Sequence, residues 1–137
     1  MENILIYISL NQFKLIDMKL KLLILSFSLL MLNASSFAAH LKPEKYYQTI
    51  WCNANNGVME YKLKDKTRVD CLTSKYAVEF DFGTKWAESI GQSLYYAQMT
   101  NKIPAIGLIL EQPSDYKYYS RILHLCKNLG IELFPIN

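Results

Sequence analysis

Three acidic residues, Glu60, Asp70 and Glu79, stand at spacings that set their carboxylates side by side. The stretch from Gly57 to Phe82 alternates as three short strands, GVMEYKL, TRVDCLT and YAVEFDF, joined by polar turns at Lys64-Asp65-Lys66 and Ser74-Lys75. A three-residue loop with Leu63 opposite Thr67 places Glu60 opposite Asp70. A two-residue loop at Ser74-Lys75 then places Asp70 opposite Glu79. Side chains opposed in this way lie roughly 5 Å apart. Three carboxylates at that distance repel one another unless a cation sits among them. Oxygen ligands of this kind suit a hard divalent ion, Mg²⁺ or Mn²⁺. A plain solvated sheet face is the competing reading, but such a face ordinarily opposes unlike charges across strands.

The surrounding elements must hold that row. Strand alternation puts Glu60, Lys62, Arg68, Asp70, Glu79 and Asp81 on one face. Met59, Tyr61, Leu63, Val69, Cys71, Val78, Phe80 and Phe82 fall on the other, which makes core. Lys62 and Arg68 form a cationic row beside the acids, fit for a neighbouring phosphate. Upstream, Pro43 to Asn56 predicts a helix with Tyr47, Ile50, Trp51 and Ala54 on its apolar face. Downstream, Thr84 to Thr100 predicts a helix capped by Thr84, with Trp86, Ile90, Leu94 and Ala97 facing the sheet. Lys85, Glu88, Gln92 and Tyr96 share its outer stripe, which would hang over the acids. Ile103 to Leu110 reads as a central strand and Asp115 to Leu129 as a last helix, its apolar residues Tyr119, Ile122, Leu123 and Cys126. Ile131 to Ile136 reads as a short strand cut by Pro135. The expected class is α/β, an α+β sandwich in the order α-β-β-β-α-β-α-β, with a mixed sheet flanked by helices.

The 137-residue chain carries 15 Lys and Arg against 12 Asp and Glu. From Met18 it runs MKLK, LLILSFSLLML and NASSFAA, the basic start, apolar run and small-residue ending of a secretory signal peptide. Ser36 and Ala38 suit a cut after Ala38. The apolar run falls short of the roughly 20 residues of a spanning helix. Residues 1–38 retained as an inner-membrane anchor is the alternative. Residues 1–17 show no clear periodicity and read as a start codon set too early. The expected layout is a signal peptide over 18–38 and one domain over 39–137, periplasmic or secreted, with no stable membrane association after cleavage. Past Ala38 the net charge is only about +2, which excludes strong attraction to polyanions on charge alone. Three cysteines, Cys52, Cys71 and Cys126, permit one disulfide and a spare thiol, or three buried thiols. No Ser or Cys nucleophile and no phosphate-cradling glycine loop is evident, and His40 and His124 read as structural.

This combination resembles the PD-(D/E)XK nuclease superfamily, whose restriction-endonuclease-like core runs helix, three-strand meander, helix and strand. Gly57-x-x-Glu60 matches its first acid, Asp70 the aspartate of the second strand, and Glu79 the acid of the third. Gln92-Ser93-Leu94-Tyr95-Tyr96 matches the QxxxY helix of RecB-type members. The match spans about Pro43 to Leu110. The lysine expected two residues after Glu79 is Asp81 instead. Lys85 is the preferred stand-in, Lys62 the other.

The resemblance implies metal-assisted hydrolysis of a phosphodiester in DNA or RNA. On that basis Asp70 and Glu79 would ligate Mg²⁺ or Mn²⁺, with Glu60 completing the shell directly or through water. Lys85 would orient the attacking water, Gln92 and Tyr96 would hold the strand, and Arg68 and Lys62 would touch phosphate. Nucleic acid is the implied partner. The small surface of the domain points to a homodimer. The alternative is a catalytically degenerate binding or interaction protein of the periplasm, contacting partners through Tyr46, Tyr116, Tyr118 and Tyr119.

Overall fold

The computed structural model describes residues 14–26 and 40–137. The chain divides into two units, Met1–Ala39 and His40–Asn137. In the first, residues 14–26 form an exposed helix. No described helix is long and apolar enough to cross a membrane. The expected cleavage site at Ala38 lies outside the described residues.

The second unit runs α1 (Glu44–Ala54), β1 (Val58–Lys62), β2 (Arg68–Leu72), β3 (Tyr76–Phe82), α2 (Trp86–Thr100), β4 (Ile103–Ile109), α3 (Tyr116–Leu129) and β5 (Glu132–Ile136). The strands form one mixed sheet in the order β1-β2-β3-β4-β5. β1, β2 and β3 are antiparallel neighbours, whereas β4 lies parallel to β3 and β5 parallel to β4. Turn lengths set this register. Leu63 N–H donates to the Thr67 carbonyl at 2.9 Å across the three-residue loop, and Leu72 pairs with Ala77 across the second turn.

The two faces of the sheet are covered differently. Under α1 lie Cys52, Cys71, Val78, Phe80 and Ala105, with Trp51 and Met59 against them. On the other face, Ile106, Leu108, Ile122 and Cys126 bring in α3, with Trp86 and Ile90 of α2 alongside. Leu63, Val69, Ala77 and Tyr96 make a second cluster on that face. β3 and β4 are central strands, so Ala77 to Phe82 is buried without a break and includes two acids.

Several local expectations are corrected. The single core face expected of the meander is split: Met59, Cys71, Val78 and Phe80 pack under α1, while Leu63 and Val69 pack under α2. Tyr61 is 41% exposed. The cause is Glu60, whose φ of 54° is left-handed and breaks the alternation of β1. The inward face of α1 is Tyr47, Gln48 and Cys52, and Ile50 is largely exposed. On α2, Trp86, Ile90 and Ala97 face inward as expected, joined by Ser89, Ser93 and Tyr96, whereas Leu94 turns outward. Two buried serines there keep the helix close to the sheet, each hydroxyl donating to a backbone carbonyl of its own helix. Thr84 does not cap α2; the chain enters it through a 3₁₀ turn, Gly83–Lys85. β5 continues through Pro135, which an edge strand tolerates. Leu123 of α3 is 46% exposed rather than packed.

Cys52 and Cys71 form a disulfide that ties α1 to β2, and Cys126 is a buried free thiol. A Cβ at Gly57 would strike both bridge sulfurs, so the bond lies over a position that only glycine leaves open. The bridge closes a sequence separation of 19 residues. Its removal by Cys52→Ala with Cys71→Ala is expected to lower unfolding free energy by about 3 kcal/mol, read from urea unfolding with and without reductant.

Candidate metal centre

β3 brings Glu79 and Asp81 to the α2 side of the sheet, 6% and 3% exposed. Asp70 joins them through an interruption in the sheet. The β2–β3 ladder pairs Cys71 with Val78, and the Asp70 carboxylate then takes over, its Oδ2 accepting from the Phe80 N–H at 2.8 Å. Glu60 arrives from β1 in its left-handed conformation, a strain of about 1–2 kcal/mol for a residue with a Cβ. Ladder pairs flank it at Met59–Cys71 and Tyr61–Val69. Gln48 of α1 ties the two strands: its Nε2 donates to the Asp70 carbonyl at 2.6 Å and to Glu60 Oε1 at 3.3 Å.

Burial sets the electrostatics of the group. Desolvation first, then the charges of Asp70 and Asp81, push the Glu79 carboxyl up to about 9, against the pull of Lys85. Burial raises Asp70 to about 6; the Phe80 N–H opposes this, and Glu60 and Asp81 add to it. Burial likewise raises Asp81 to about 6, with Lys85 opposing. Lys85 Nζ lies 3.4 Å from Asp81 Oδ1, and that carboxylate holds the lysine above its ordinary value. Glu79 Oε2 is buried, with no hydrogen-bond partner among the described residues. An orphaned carboxylate oxygen inside a cluster of acids is a costly arrangement without a cation or a proton.

Glu44, in the first turn of α1, was not singled out in the sequence. Its carboxyl is raised by burial, then by Asp70, lowered by Lys85, and raised again by Glu60. The sequence signal was its place just after Pro43, where an acid ordinarily serves the helix dipole. Asp81, which alternation places on the same face as the acids and which stands where the motif has a lysine, belongs to the cluster.

The other expected site residues are distributed unevenly. Glu60 is drawn outward, with Arg68 Nη1 at 3.5 Å from its Oε2 and Lys45 Nζ at 3.9 Å from its Oε1. Tyr96 is not on an outer stripe: it is 7% exposed, packed on Leu63, Val69 and Ala77. Burial raises its phenol, and the charges of Glu79 and Asp70 add to the rise, so it lies beneath the acids. Gln92 is exposed on α2, and its side chain opposes the rise of the Tyr96 phenol. Lys62 lies away from the acids in a separate groove.

No protein-family model matches the chain, and neither a curated protein nor a solved structure is significantly similar to it. The site therefore stands on its own geometry.

Among the described residues no three His, Cys, Asp or Glu side chains converge as a ready ligand group. Two carboxylates fit a cation: Asp70, with one oxygen left after the Phe80 bond, and Glu79, with its orphaned oxygen. Mg²⁺ sites in general take one or two carboxylates, with waters and substrate oxygens supplying the remaining ligands. At the rim, Glu111 accepts from Tyr47 Oη at 2.8 Å and from the Lys42 N–H at 3.1 Å, with His40 Nδ1 at 2.9 Å. The His40 ring stacks on Phe82, the residue after Asp81. These contacts pin residues 40–42 to the end of β3 and to Glu111, on the α1 side of the sheet.

Proposed function

We propose that the chain is a metal-dependent phosphodiesterase acting on nucleic acid, built on a restriction-endonuclease-like core of the PD-(D/E)XK type. The observation that carries this reading is the buried, unpartnered Glu79 Oε2 beside Asp70 and Asp81, with Lys85 held at its edge. Asp70 and Glu79 hold Mg²⁺ or Mn²⁺. The bound ion supplies the charge that polarises a phosphate and lowers the pKa of water. Lys85, steadied by Asp81, orients the attacking water. Glu60 contributes through water, since its carboxylate is shared with Gln48, Arg68 and Lys45. Tyr96 supports the floor of the site and Gln92 faces the strand. The protein acts outside the cytoplasm, where the Cys52–Cys71 bond persists. A homodimer would extend its small surface.

A second reading is a catalytically degenerate relative that binds without cutting. The ion pair of Lys85 with Asp81 favours it, because a lysine held by a carboxylate is less free to serve a water. The deciding experiment offers labelled single- and double-stranded DNA and RNA to the purified protein with Mg²⁺, Mn²⁺ or EDTA. Cleavage that requires metal and is lost in Asp70→Asn is expected. Metal binding without cleavage selects the second reading, and neither binding nor cleavage ends both.

A further inference from the structure

We propose that the groove between the β1–β2 hairpin and the end of α2 holds the phosphodiester backbone of a single nucleic-acid strand. This groove, about 540 Å³, has Tyr61, Lys62 and Lys64 on the hairpin side and Met99, Thr100 and Lys102 on the other. Three lysines line it and no acid does. The nearest acid in the turn, Asp65, is occupied: its carboxylate accepts from the Thr67 N–H and hydroxyl and from the Tyr95 hydroxyl.

The groove is suited to phosphate in three ways. Lys102 Nζ donates to the Ser74 carbonyl at 2.6 Å, which fixes its position while leaving two protons for a ligand. Lys62 and Lys64 are exposed on the opposite wall, and among the described residues no carboxylate pairs with them. Tyr61, 41% exposed, and Met99, 45% exposed, offer apolar surface on which a base can stack. A lysine wall with interleaved aromatic surface is the chemistry of single-strand binding, where the backbone is met by cations and the bases by rings.

The cations also lead somewhere. Lys62 is the cross-strand partner of Arg68, and Arg68 reaches Glu60 at the edge of the acid cluster. A strand lying in the groove is thereby directed past Arg68 to Asp70 and Glu79. This places the substrate of the proposed hydrolysis and rests on that reading for its purpose, though binding itself does not depend on cleavage.

The test is binding of a labelled 20-nucleotide single strand to the purified protein in EDTA, so that nothing is cut. The triple variant Lys62→Gln, Lys64→Gln, Lys102→Gln should bind at least tenfold more weakly, and its salt dependence should flatten by about two in the log–log slope, at roughly 0.7 per lost phosphate contact. The double variant Lys62→Gln, Lys64→Gln leaves the Lys102 bond to Ser74 intact and should show about two thirds of that change. A control of equal charge, Lys117→Gln, Arg121→Gln, Lys127→Gln on α3, should bind nearly as the parent does. Equal weakening by the control overturns the groove, as does an unchanged affinity in the triple variant. Lysine-dependent capture of anionic phospholipid vesicles without oligonucleotide binding overturns it too. If the parent cleaves but the lysine variants bind normally, the groove fails and the hydrolase stands. Lysine-dependent binding without any metal-dependent cleavage leaves the groove standing and removes the hydrolase.

Discussion

Asp70→Asn is expected to lower metal-dependent phosphodiester cleavage about a thousandfold while the fold survives. Asparagine keeps an oxygen to accept the Phe80 N–H, so the repair of the β2–β3 ladder is preserved. It removes the negative charge and with it one of the two carboxylates best placed to ligate a cation. Metal stabilisation of transition-state charge is worth several kcal/mol. Each 1.4 kcal/mol is about tenfold in rate. The loss should fall on kcat, because on the proposed reading the strand would be held elsewhere, by cations this substitution leaves untouched. Asp70→Ala is a harsher change, since it also strands a buried N–H at about 1–3 kcal/mol. Cleavage rates on a single-stranded substrate, with circular dichroism on both variants, check this. A rate for Asp70→Asn within tenfold of the parent removes Asp70 from the chemistry.

The second large effect is on stability against pH. The folded-state values of Glu79, about 9, and of Asp70 and Asp81, about 6, all lie above the ordinary carboxylate range. Between the ordinary value and the raised one, the folded chain holds protons that the unfolded chain has released. Stability is therefore full only below about pH 4, falls most steeply from there to about 6, where all three groups differ between the states, and goes on falling toward 9 through Glu79. The slope is about 1.4 kcal/mol per pH unit for each proton of difference. Above pH 6 Glu79 dominates, and Glu79→Gln should flatten that limb. Glu111 works in the other direction: hydrogen bonds outweigh its burial and hold it below its ordinary value, so its contribution fades as pH falls. If the site takes Mg²⁺ or Mn²⁺ as proposed, the ion would replace the proton, restore stability at pH 8 and release protons on binding. Urea unfolding at pH 5 to 9, with and without metal, measures this. A slope above pH 6 that persists in Glu79→Gln would assign the effect to another group.

Sequence spacing carried the meander further than it carried the site. Two turn lengths were enough to pair Lys62 with Arg68 and Leu72 with Ala77, because hairpin loops fix register. Neither the left-handed Glu60 nor the side chain of Asp70 standing in for a ladder partner is written in alternation, and both redirect their neighbours. Val69 crosses to the α2 face for this reason. Trp86, Ile90 and Ala97 of α2 pack inward as hydropathy predicts, but hydropathy cannot see the two serines buried beside them for their smallness. Glu44 lies far from the meander in sequence, and only the packing of α1, secured by Gln48 and the disulfide, brings its charge to the other acids. Asp81 was the acid most plainly present and least credited.

The Cys52–Cys71 bond has a topological consequence. It makes residues 52–71 a covalent ring that contains all of β1, the Lys64-Asp65-Lys66 turn, Glu60 and Asp70. That turn is exposed and carries two lysines, the natural target of a trypsin-like protease. A cut there opens the ring without freeing a fragment. The two new ends stay tethered through sulfur, and Asp70 remains one residue from its anchor.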